Sequence, residues 1–268
     1  MSGLVSLTFD DALDQHLDVG VRLLNEAKLP GTFYAHLNAP ALSRRLDEWR
    51  SAAAIGHELG NHTVFHPAVE AKGWVQSGNA LERYDLSRIR MELETANDWL
   101  TAIDGCSKRS FAFPCSNRIV GHFGWPVRLL RRIGLQRTRF PGMVERYGLD
   151  FGSTRDDYLP VVQSIFPAAR VGGLAMDDTP PPLTDWNRWL LKSAAVEGHS
   201  FEQMRGFVER GLNAGSWSIL QFHGIGGGHS MDCDVQEFQK LVYWLRDTHA
   251  DRVTTIHNGA QAVWEATA

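Results

Sequence analysis

The 268-residue chain is poor in cysteine: Cys106, Cys115 and Cys233 lie far apart and form no C-x-x-C pair. This spacing argues against a zinc ribbon and against a small secreted scaffold held by disulfides. Long apolar runs are also lacking, and no stretch reaches the roughly 18 residues needed to span a bilayer. No signal-peptide pattern opens the sequence, so we expect a cytoplasmic protein, or a secreted or periplasmic one if the sequence is a trimmed piece.

Long blocks of one charge are absent as well. The 27 basic and 31 acidic residues give a formal net charge of −4, which favours neither a nucleic-acid ligand nor a membrane surface. With 43% apolar residues the chain can bury a full core, and its length fits one barrel-sized domain over residues 1–268. We therefore expect a small or neutral partner, while the oligomeric state stays open.

Apolar segments with strand character alternate with segments of helical spacing. The strand-like segments are 4–9, 31–37, 110–114, 170–176, 217–225 and 252–256. Apolar positions three and four apart predict helices over 19–27, 46–53, 89–100 and 238–245. This alternation predicts a parallel sheet covered by helices, and at this length a (β/α) barrel. The segment 140–200 is harder to assign and is expected to hold long loops.

Two adjacent carboxylates, Asp10 and Asp11, follow the first apolar strand in the segment LTFDDALD. Side by side they repel each other unless a positive charge lies next to them. They fit a helix N-cap, where aspartate accepts backbone N–H bonds. They also fit a strand-end active site, in which one carboxylate binds a cation and the other takes a proton. Functional groups of a parallel barrel gather at the carboxyl ends of its strands, which is where this pair lies.

Histidines supply the partners that such a site needs. In GHELGNHTVFHP, His62 and His66 lie four residues apart, so a helical turn would bring both imidazoles to one face for one metal ion. Because Thr63 follows His62, the segment lacks the glutamate base of a metalloprotease helix. His57 has no partner at ligand spacing and is expected to be structural. Late in the chain, His223 ends a strand-like segment just before a glycine-rich loop.

In this order the motifs TFDDA, HTVFH, FAFPCS and ILQFHG resemble the polysaccharide deacetylase family, carbohydrate esterase family 4 with its NodB homology domain. The resemblance covers nearly the whole chain. It implies a distorted (β/α) barrel and a metal-dependent hydrolase that removes acetyl groups from carbohydrate, such as the N-acetylated sugars of chitin or peptidoglycan. Two alternatives stay open: an O-acetyl (xylan) esterase that uses the same site, and a catalytically silent carbohydrate-binding homologue.

The resemblance also implies a role for each motif residue. The implied site consists of the general base Asp10, the metal ligands Asp11, His62 and His66, the general acid His223, the acetyl-pocket residue Leu220 and the oxyanion donor Cys115. The ion would be one divalent metal, with zinc expected first, although cobalt, nickel and manganese accept the same ligands. A cation held by Asp11 would offset the repulsion within the aspartate pair.

Two family motifs are altered in this chain. Ala112 occupies the position where the third motif has an arginine that orients the base. The candidates to replace it are Arg109, Arg118, Arg137 and Arg139. The fourth motif, an acidic residue that tunes the catalytic histidine, is expected within MDDTPPPLTDW, at Asp177 or Asp178 ahead of Asp185, unless these acids only solvate a loop.

Overall fold

The computed structural model describes residues 3–135 and 138–264, and its central element is a closed parallel barrel. The strands in these ranges are β1 (Leu4–Asp10), β2 (Thr32–Ala35), β3 (Glu58–Asn61), β4 (Phe111–Ala112), β5 (Ile119–Val120), β6 (Asp156–Asp157), β7 (Ala169–Leu174), β8 (Leu191–Ala195), β9 (Trp217–Phe222), β10 (Gly224–Ile225) and β11 (Asp232–Cys233). Seven of them close the barrel in the order β1-β2-β3-β4-β7-β8-β9, with β9 pairing back onto β1. The predicted distorted (β/α) barrel is confirmed.

Helices surround the barrel. They are α1 (Arg22–Ala27), α2 (Pro40–Arg44), α3 (Leu46–Ala54), α4 (Leu86–Asp104), α5 (Trp125–Arg132), α6 (Phe140–Arg146), α7 (Leu159–Ile165), α8 (Phe201–Asn213), α9 (Val235–His249) and α10 (Ile256–Trp264). The longest, α4, begins where the Asp85 side chain accepts the backbone N–H of Arg88 and ends at Gly105 in the left-handed conformation. Across the described ranges, no helix has the length and apolar character needed to cross a membrane.

Strand alternation decides which side chains reach the barrel mouth. On β1, Val5, Leu7 and Phe9 pack outward into the main hydrophobic cluster beneath the helices. Each fully buried side chain of this kind contributes about 1.5–3 kcal/mol to folding. The intervening residues, ending with Asp10, therefore point into the barrel. Because β1 and β9 pair in register, with Phe9 opposite Phe222, the next residues Asp10 and His223 reach the same mouth.

Two parts of the strand prediction need correction. The sequence predicts a strand over 252–256, which is wrong: Val253 makes a single bridge to Val5, and α10 begins at Ile256. Strand β3 was not predicted, because polar residues and Gly60 interrupt its apolar pattern. Strand β8 lies within the segment expected to hold loops, where alternation in LKSAA is short and weak.

Candidate active site

The carboxyl ends of β1 and β3 bring three predicted metal ligands together. Asp11 Oδ1 lies 3.7 Å from His62 Nε2 and 3.4 Å from His66 Nε2. One ligand atom from each residue lies within 4.8 Å of the other two. A carboxylate and two imidazoles around one point form the donor set of an open zinc-type site, which leaves a position for water or substrate.

The protonation states of these groups suit a cation. Asp11 Oδ1 is buried and accepts no hydrogen bond within the described chain, so this oxygen lacks a donor. Burial raises the pKa of Asp11, but the imidazoles of His66 and His62 outweigh burial and hold this pKa well below its usual range. His62 Nδ1 lies 2.8 Å from the Ala112 carbonyl and must donate to it, which leaves the Nε2 lone pair facing Asp11. Burial lowers the pKa of His62 to about 3, so the ring is neutral and ready to ligate.

The predicted helical turn between His62 and His66 is wrong. The chain leaves β3 through an irregular turn, with φ of 73° at Thr63 and 52° at His66. The Asn61 side chain accepts the Thr63 N–H at 2.8 Å, and the Thr63 hydroxyl accepts the His66 N–H at 3.0 Å. The two imidazoles therefore meet because side chains hold a left-handed backbone in place, and not through helical spacing.

Left-handed backbone is concentrated at this end of the barrel. The non-glycine residues with positive φ near the site are Asp11, Ala12, Thr63, His66, Cys115 and Ser116, and the structure has a further one at Lys28. Each such residue costs on the order of 1–3 kcal/mol and persists only where its surroundings fix it, which is common at functional sites. The candidate site thus contains several residues in a left-handed backbone conformation, which is unfavourable for side chains other than glycine.

Asp10 lies beside this cluster as an ionised carboxylate that accepts three hydrogen bonds. Arg170 Nη2 donates to its Oδ1 at 2.6 Å and its Oδ2 at 2.5 Å, and Gln221 Nε2 donates to Oδ2 at 2.9 Å. His223 Nε2 lies 3.8 Å from the same Oδ2. Burial raises the pKa of Asp10, but Arg170 leads the charges that hold it below its usual value. A carboxylate kept ionised next to a histidine suits proton transfer.

Arg170 is the functional residue that sequence reasoning missed. It lies on β7 directly opposite Ala112 of β4, so its side chain enters the barrel at the level where the third family motif has its arginine. The small Ala112 side chain leaves room there. None of the predicted replacements is seen to reach the site: Arg109 pairs with Asp104, Arg118 pairs with Asp157, Arg139 is exposed, and Arg137 lies outside the described residues. One sequence signal could have indicated Arg170: it is a charged residue near the start of an apolar strand. Arginine is buried in such a position only when it is paired with an opposite charge.

His223 is almost buried and is held by two other histidines. His16 Nε2 lies 2.7 Å from the His223 carbonyl, and the Leu13 N–H donates to His16 Nδ1, so His16 Nε2 carries the proton and donates. The ring of His229 stacks on that of His223, with centroids 4.9 Å apart and planes 22° apart. Burial is the main cause that lowers the pKa of His223.

The predicted acidic partner of His223 is not found. Asp177, Asp178 and Asp185 are all exposed, and Asp178 accepts the backbone N–H of Ala175 instead. Within residues 3–135 and 138–264, the ion pair of His223 is the one with Asp10. The ring of His229 stacks on His223 instead, and its position after three glycines gave no pattern from which to predict it.

The structure places Cys115 next to the site and Leu220 away from it. Cys115 adopts φ 48° and ψ 24° next to the site, and its backbone N–H donates no hydrogen bond within the described chain. Leu220 pairs with Leu7 on β1, and both lie in the outer cluster beneath the helices. The neighbouring Gln221 points inward to Asp10. Because successive strand residues face opposite sides, the structure places Leu220 away from the site, contrary to the prediction.

Two further histidines complete the surroundings. His57 accepts the Gly31 N–H at 3.0 Å, and its other nitrogen lies 2.9 Å from Asn25 Oδ1 near the opposite end of the barrel, in line with the structural role predicted for it. His36 follows β2, and its ring centroid lies 5.5 Å from that of the ligand His66. Its Nδ1 is buried without a partner in the described chain, so His36 adds an unengaged polar atom to the site.

Comparison with known sequences finds one family model that matches the first part of the chain. Residues 2–120, which contain Asp10, Asp11, His62, His66 and Cys115, match the family model described as polysaccharide deacetylase. The resemblance predicted from the motifs is confirmed. A gellan lyase from Bacillus sp is 29% identical over 113 residues, which make up 42% of this chain and 4% of that protein. This chain therefore spans only a small part of that relative.

Solved structures share the fold. A protein from Mycobacterium smegmatis, provisionally described as a polysaccharide deacetylase, is 15% identical, with coverage of 99% of this chain and 91% of that chain and a TM-score of 0.59. A mutant of a peptidoglycan deacetylase from Bacillus subtilis is 12% identical, with coverage of 99% and 93% and a TM-score of 0.52. A pseudoenzyme of carbohydrate esterase family 4 from Bacillus anthracis is 15% identical, with coverage of 94% and 62% and a TM-score of 0.50. At these identities the likeness shows the fold alone, and activity must be argued from the site.

Proposed function

Starting from the polysaccharide deacetylase family that residues 2–120 match, we propose that this chain is a metal-dependent hydrolase that removes acetyl groups from an N-acetylated carbohydrate. One observation carries the proposal: the imidazoles of His62 and His66 and Asp11 Oδ1, which accepts no hydrogen bond in the described chain, surround one point. An ionised Asp10 and the histidine His223 lie directly beside them. A structural cluster has no need to leave a buried carboxylate oxygen without a donor.

Asp11, His62 and His66 would hold one divalent ion, which we propose is zinc. When bound, such an ion supplies Lewis acidity to the acetyl carbonyl and to the attacking water. The remaining steps belong to the side chains and backbone of this chain. Oxygen and nitrogen ligands of this kind also bind cobalt, nickel and manganese, so the identity of the metal is part of the test.

Asp10 is the proposed general base. Its Oδ1 accepts only from Arg170 and keeps a lone pair for the proton of the attacking water. As the water oxygen bonds to the acetyl carbon, the carbonyl oxygen gains negative charge, and the free Cys115 N–H is the proposed donor to it. Arg170 and Gln221 are the proposed positioning residues, because together they donate to both oxygens of Asp10.

His223 is the proposed general acid. It gives its proton to the sugar nitrogen as the bond between that nitrogen and the acetyl carbon breaks, so the products are acetate and a free amino sugar. An amine is a poor leaving group unless protonated, which makes an acid beside the base a requirement for N-acetyl substrates. The stacked ring of His229 restricts the orientation of His223 in place of the missing carboxylate.

The surroundings of the metal ligands favour a carbohydrate substrate. The indole of Trp74 is 57% exposed, and its ring lies 5.5 Å from that of His66. An exposed aromatic face beside the reacting group offers the apolar face of a sugar ring a stacking partner. The presence of base, acid and ligands together argues against a catalytically silent homologue, which needs none of the three.

Acetate release from a substrate panel tests the proposal. The zinc-loaded protein is incubated with acetylated chitooligosaccharides, peptidoglycan fragments and acetylated xylan. We expect release from an N-acetylated substrate, and a loss of about 100-fold or more in Asp10→Asn, whose amide keeps the shape but cannot accept the proton. Release from acetylated xylan alone would instead assign an O-acetyl esterase. Sugar binding without acetate release from any substrate would assign the silent homologue and reject the proposal.

A further inference from the structure

The segment inserted between β5 and β6 differs from the rest of the described surface in its exposed apolar side chains and in its charge. This segment, residues 125–135 and 138–151, contains α5 and α6 and is called the arginine-rich hairpin below. Of the 14 large hydrophobic side chains exposed in the described chain, eight lie in it: Trp125, Leu129, Ile133, Phe140, Met143, Tyr147, Leu149 and Phe151. Contiguous exposed apolar surface on a protein marks an interaction site.

The hairpin also reverses the charge of the chain. Five arginines against Glu145 and Asp150 give its described residues a net charge of +3, within a chain whose net charge is −4. Both acids are engaged locally: Glu145 pairs with Arg155 at 2.9 Å, and Asp150 accepts the N–H groups that begin α5. The arginines whose side chains make no ion pair or hydrogen bond in the described chain are Arg128, Arg132, Arg139 and Arg146. The chain-wide charge balance conceals this basic patch.

The hairpin is inserted at the carboxyl end of the barrel strands. It is inserted after β4, and the antiparallel pair β5 and β6 forms its base, where Arg118 and Asp157 make an ion pair of 2.9 Å. Gly121 fixes the base further: its N–H donates to the Leu81 carbonyl at 2.8 Å, and a Cβ there would lie 2.0 Å from the Thr154 carbonyl oxygen. The hairpin and the candidate site therefore belong to the same end of the barrel.

We propose that the arginine-rich hairpin docks this protein onto an anionic lipid surface. Indole, phenyl and aliphatic side chains enter the interface between headgroups and acyl chains, while arginines bind the anionic headgroups. A second copy of the hairpin fits less well, because two patches of the same positive charge repel each other. Anionic polymers match the arginines but leave the aliphatic side chains of Leu129 and Ile133 without a partner. The proposal does not depend on deacetylase activity.

Co-sedimentation with vesicles tests this proposal on the full chain. We expect binding to vesicles of phosphatidylglycerol mixed with phosphatidylcholine, and much weaker binding to phosphatidylcholine alone. Each arginine near an anionic surface contributes about fivefold in affinity, so Arg128→Gln with Arg132→Gln should weaken binding by about 25-fold. Leu129→Glu with Ile133→Glu should abolish binding. These side chains are exposed, and circular dichroism together with an unchanged midpoint of thermal unfolding checks that each variant is folded.

Matched controls lie elsewhere on the surface. Trp99→Glu on α4 changes a side chain that is 60% exposed, and Arg22→Gln on α1 removes an exposed arginine. Both should bind vesicles like the unaltered protein. The proposal is overturned if the unaltered protein fails to bind anionic vesicles, or if the controls lose binding as much as the hairpin variants. It is also overturned if light scattering shows a dimer that the Leu129→Glu and Ile133→Glu pair dissociates, since the hairpin would then join two copies.

Discussion

The two ends of the barrel hold half-buried carboxylates in opposite states. At the amino end, Glu58 accepts four hydrogen bonds: two from the N–H and hydroxyl of Ser110, one from the Thr32 hydroxyl and one from the His257 N–H. At the carboxyl end, Asp11 Oδ1 accepts none within the described chain. A saturated carboxylate stabilises the fold, whereas an unsaturated one raises its energy until a ligand arrives. The comparison assigns stability to one end and binding to the other.

The backbone shows the same division. Positive φ values of non-glycine residues cluster around Asp11, His66 and Cys115, whereas at the amino end Lys28 adopts this conformation only to end α1. Side chains such as Thr63 hold the strained turns, so the site is formed before any ligand binds. A preformed site is expected to lose little affinity to reorganisation.

The largest expected effect at the carboxyl end comes from removing the acid. His223→Ala should lose about 100-fold in kcat on an N-acetylated sugar, whose amine leaves only when protonated. It should lose much less on an aryl acetate, whose phenolate leaves without a proton. Initial rates on both substrates with the same folded sample make the comparison, and metal content serves as control. Equal losses on both would remove His223 from the catalytic role.

Removing the arginine should have a smaller effect with a characteristic pH dependence. Arg170 holds the pKa of Asp10 down, so Arg170→Gln raises that pKa. A base must be ionised to accept a proton, so activity is lost as pH falls through its pKa, and the acidic limb of the kcat/KM profile should move to higher pH. We expect a loss of about tenfold at neutral pH, partly recovered in Arg170→Lys, which keeps the positive charge but not the two-pronged bond.

An unchanged acidic limb in Arg170→Gln, with only a loss of thermal stability, would make Arg170 structural. The profile separates the two roles, because a merely structural arginine changes the fraction folded and not the pH at which Asp10 loses its proton.

The smallest effect on catalysis is expected at the amino end. Glu58→Gln replaces a carboxylate that accepts four hydrogen bonds by an amide with one acceptor oxygen, leaving donors unpaired at a cost of about 1–3 kcal/mol in the free energy of unfolding. Denaturant unfolding measures this loss. The rate per folded molecule and the metal content should not change. A matching fall in rate would show that the two ends are not separate.

The motifs predicted Asp11 from the end of the first strand-like segment, whereas His62 and His66 were predicted from their spacing and from the family resemblance, because strand β3 was not predicted. Arg170 could not be predicted, since its contact with Asp10 depends on the register between β4 and β7, whose paired residues Ala112 and Arg170 are far apart in sequence. The turn from His62 to His66 was assigned to a helix because spacing alone does not reveal positive φ. Leu220 was misplaced for a related reason: only pairing with Leu7 shows which face of β9 it takes.

Asp11, His62 and His66 form the proposed metal site. The metal content of the purified protein is the direct test of this assignment. The unaltered protein, His62→Ala and His57→Ala are purified alike, loaded with zinc, passed through a desalting column and analysed for metal. His57 is the matched control, a buried histidine away from the metal cluster. We predict about one zinc per chain in the unaltered protein and in His57→Ala, and almost none in His62→Ala. Equal zinc in the unaltered protein and His62→Ala would contradict the account.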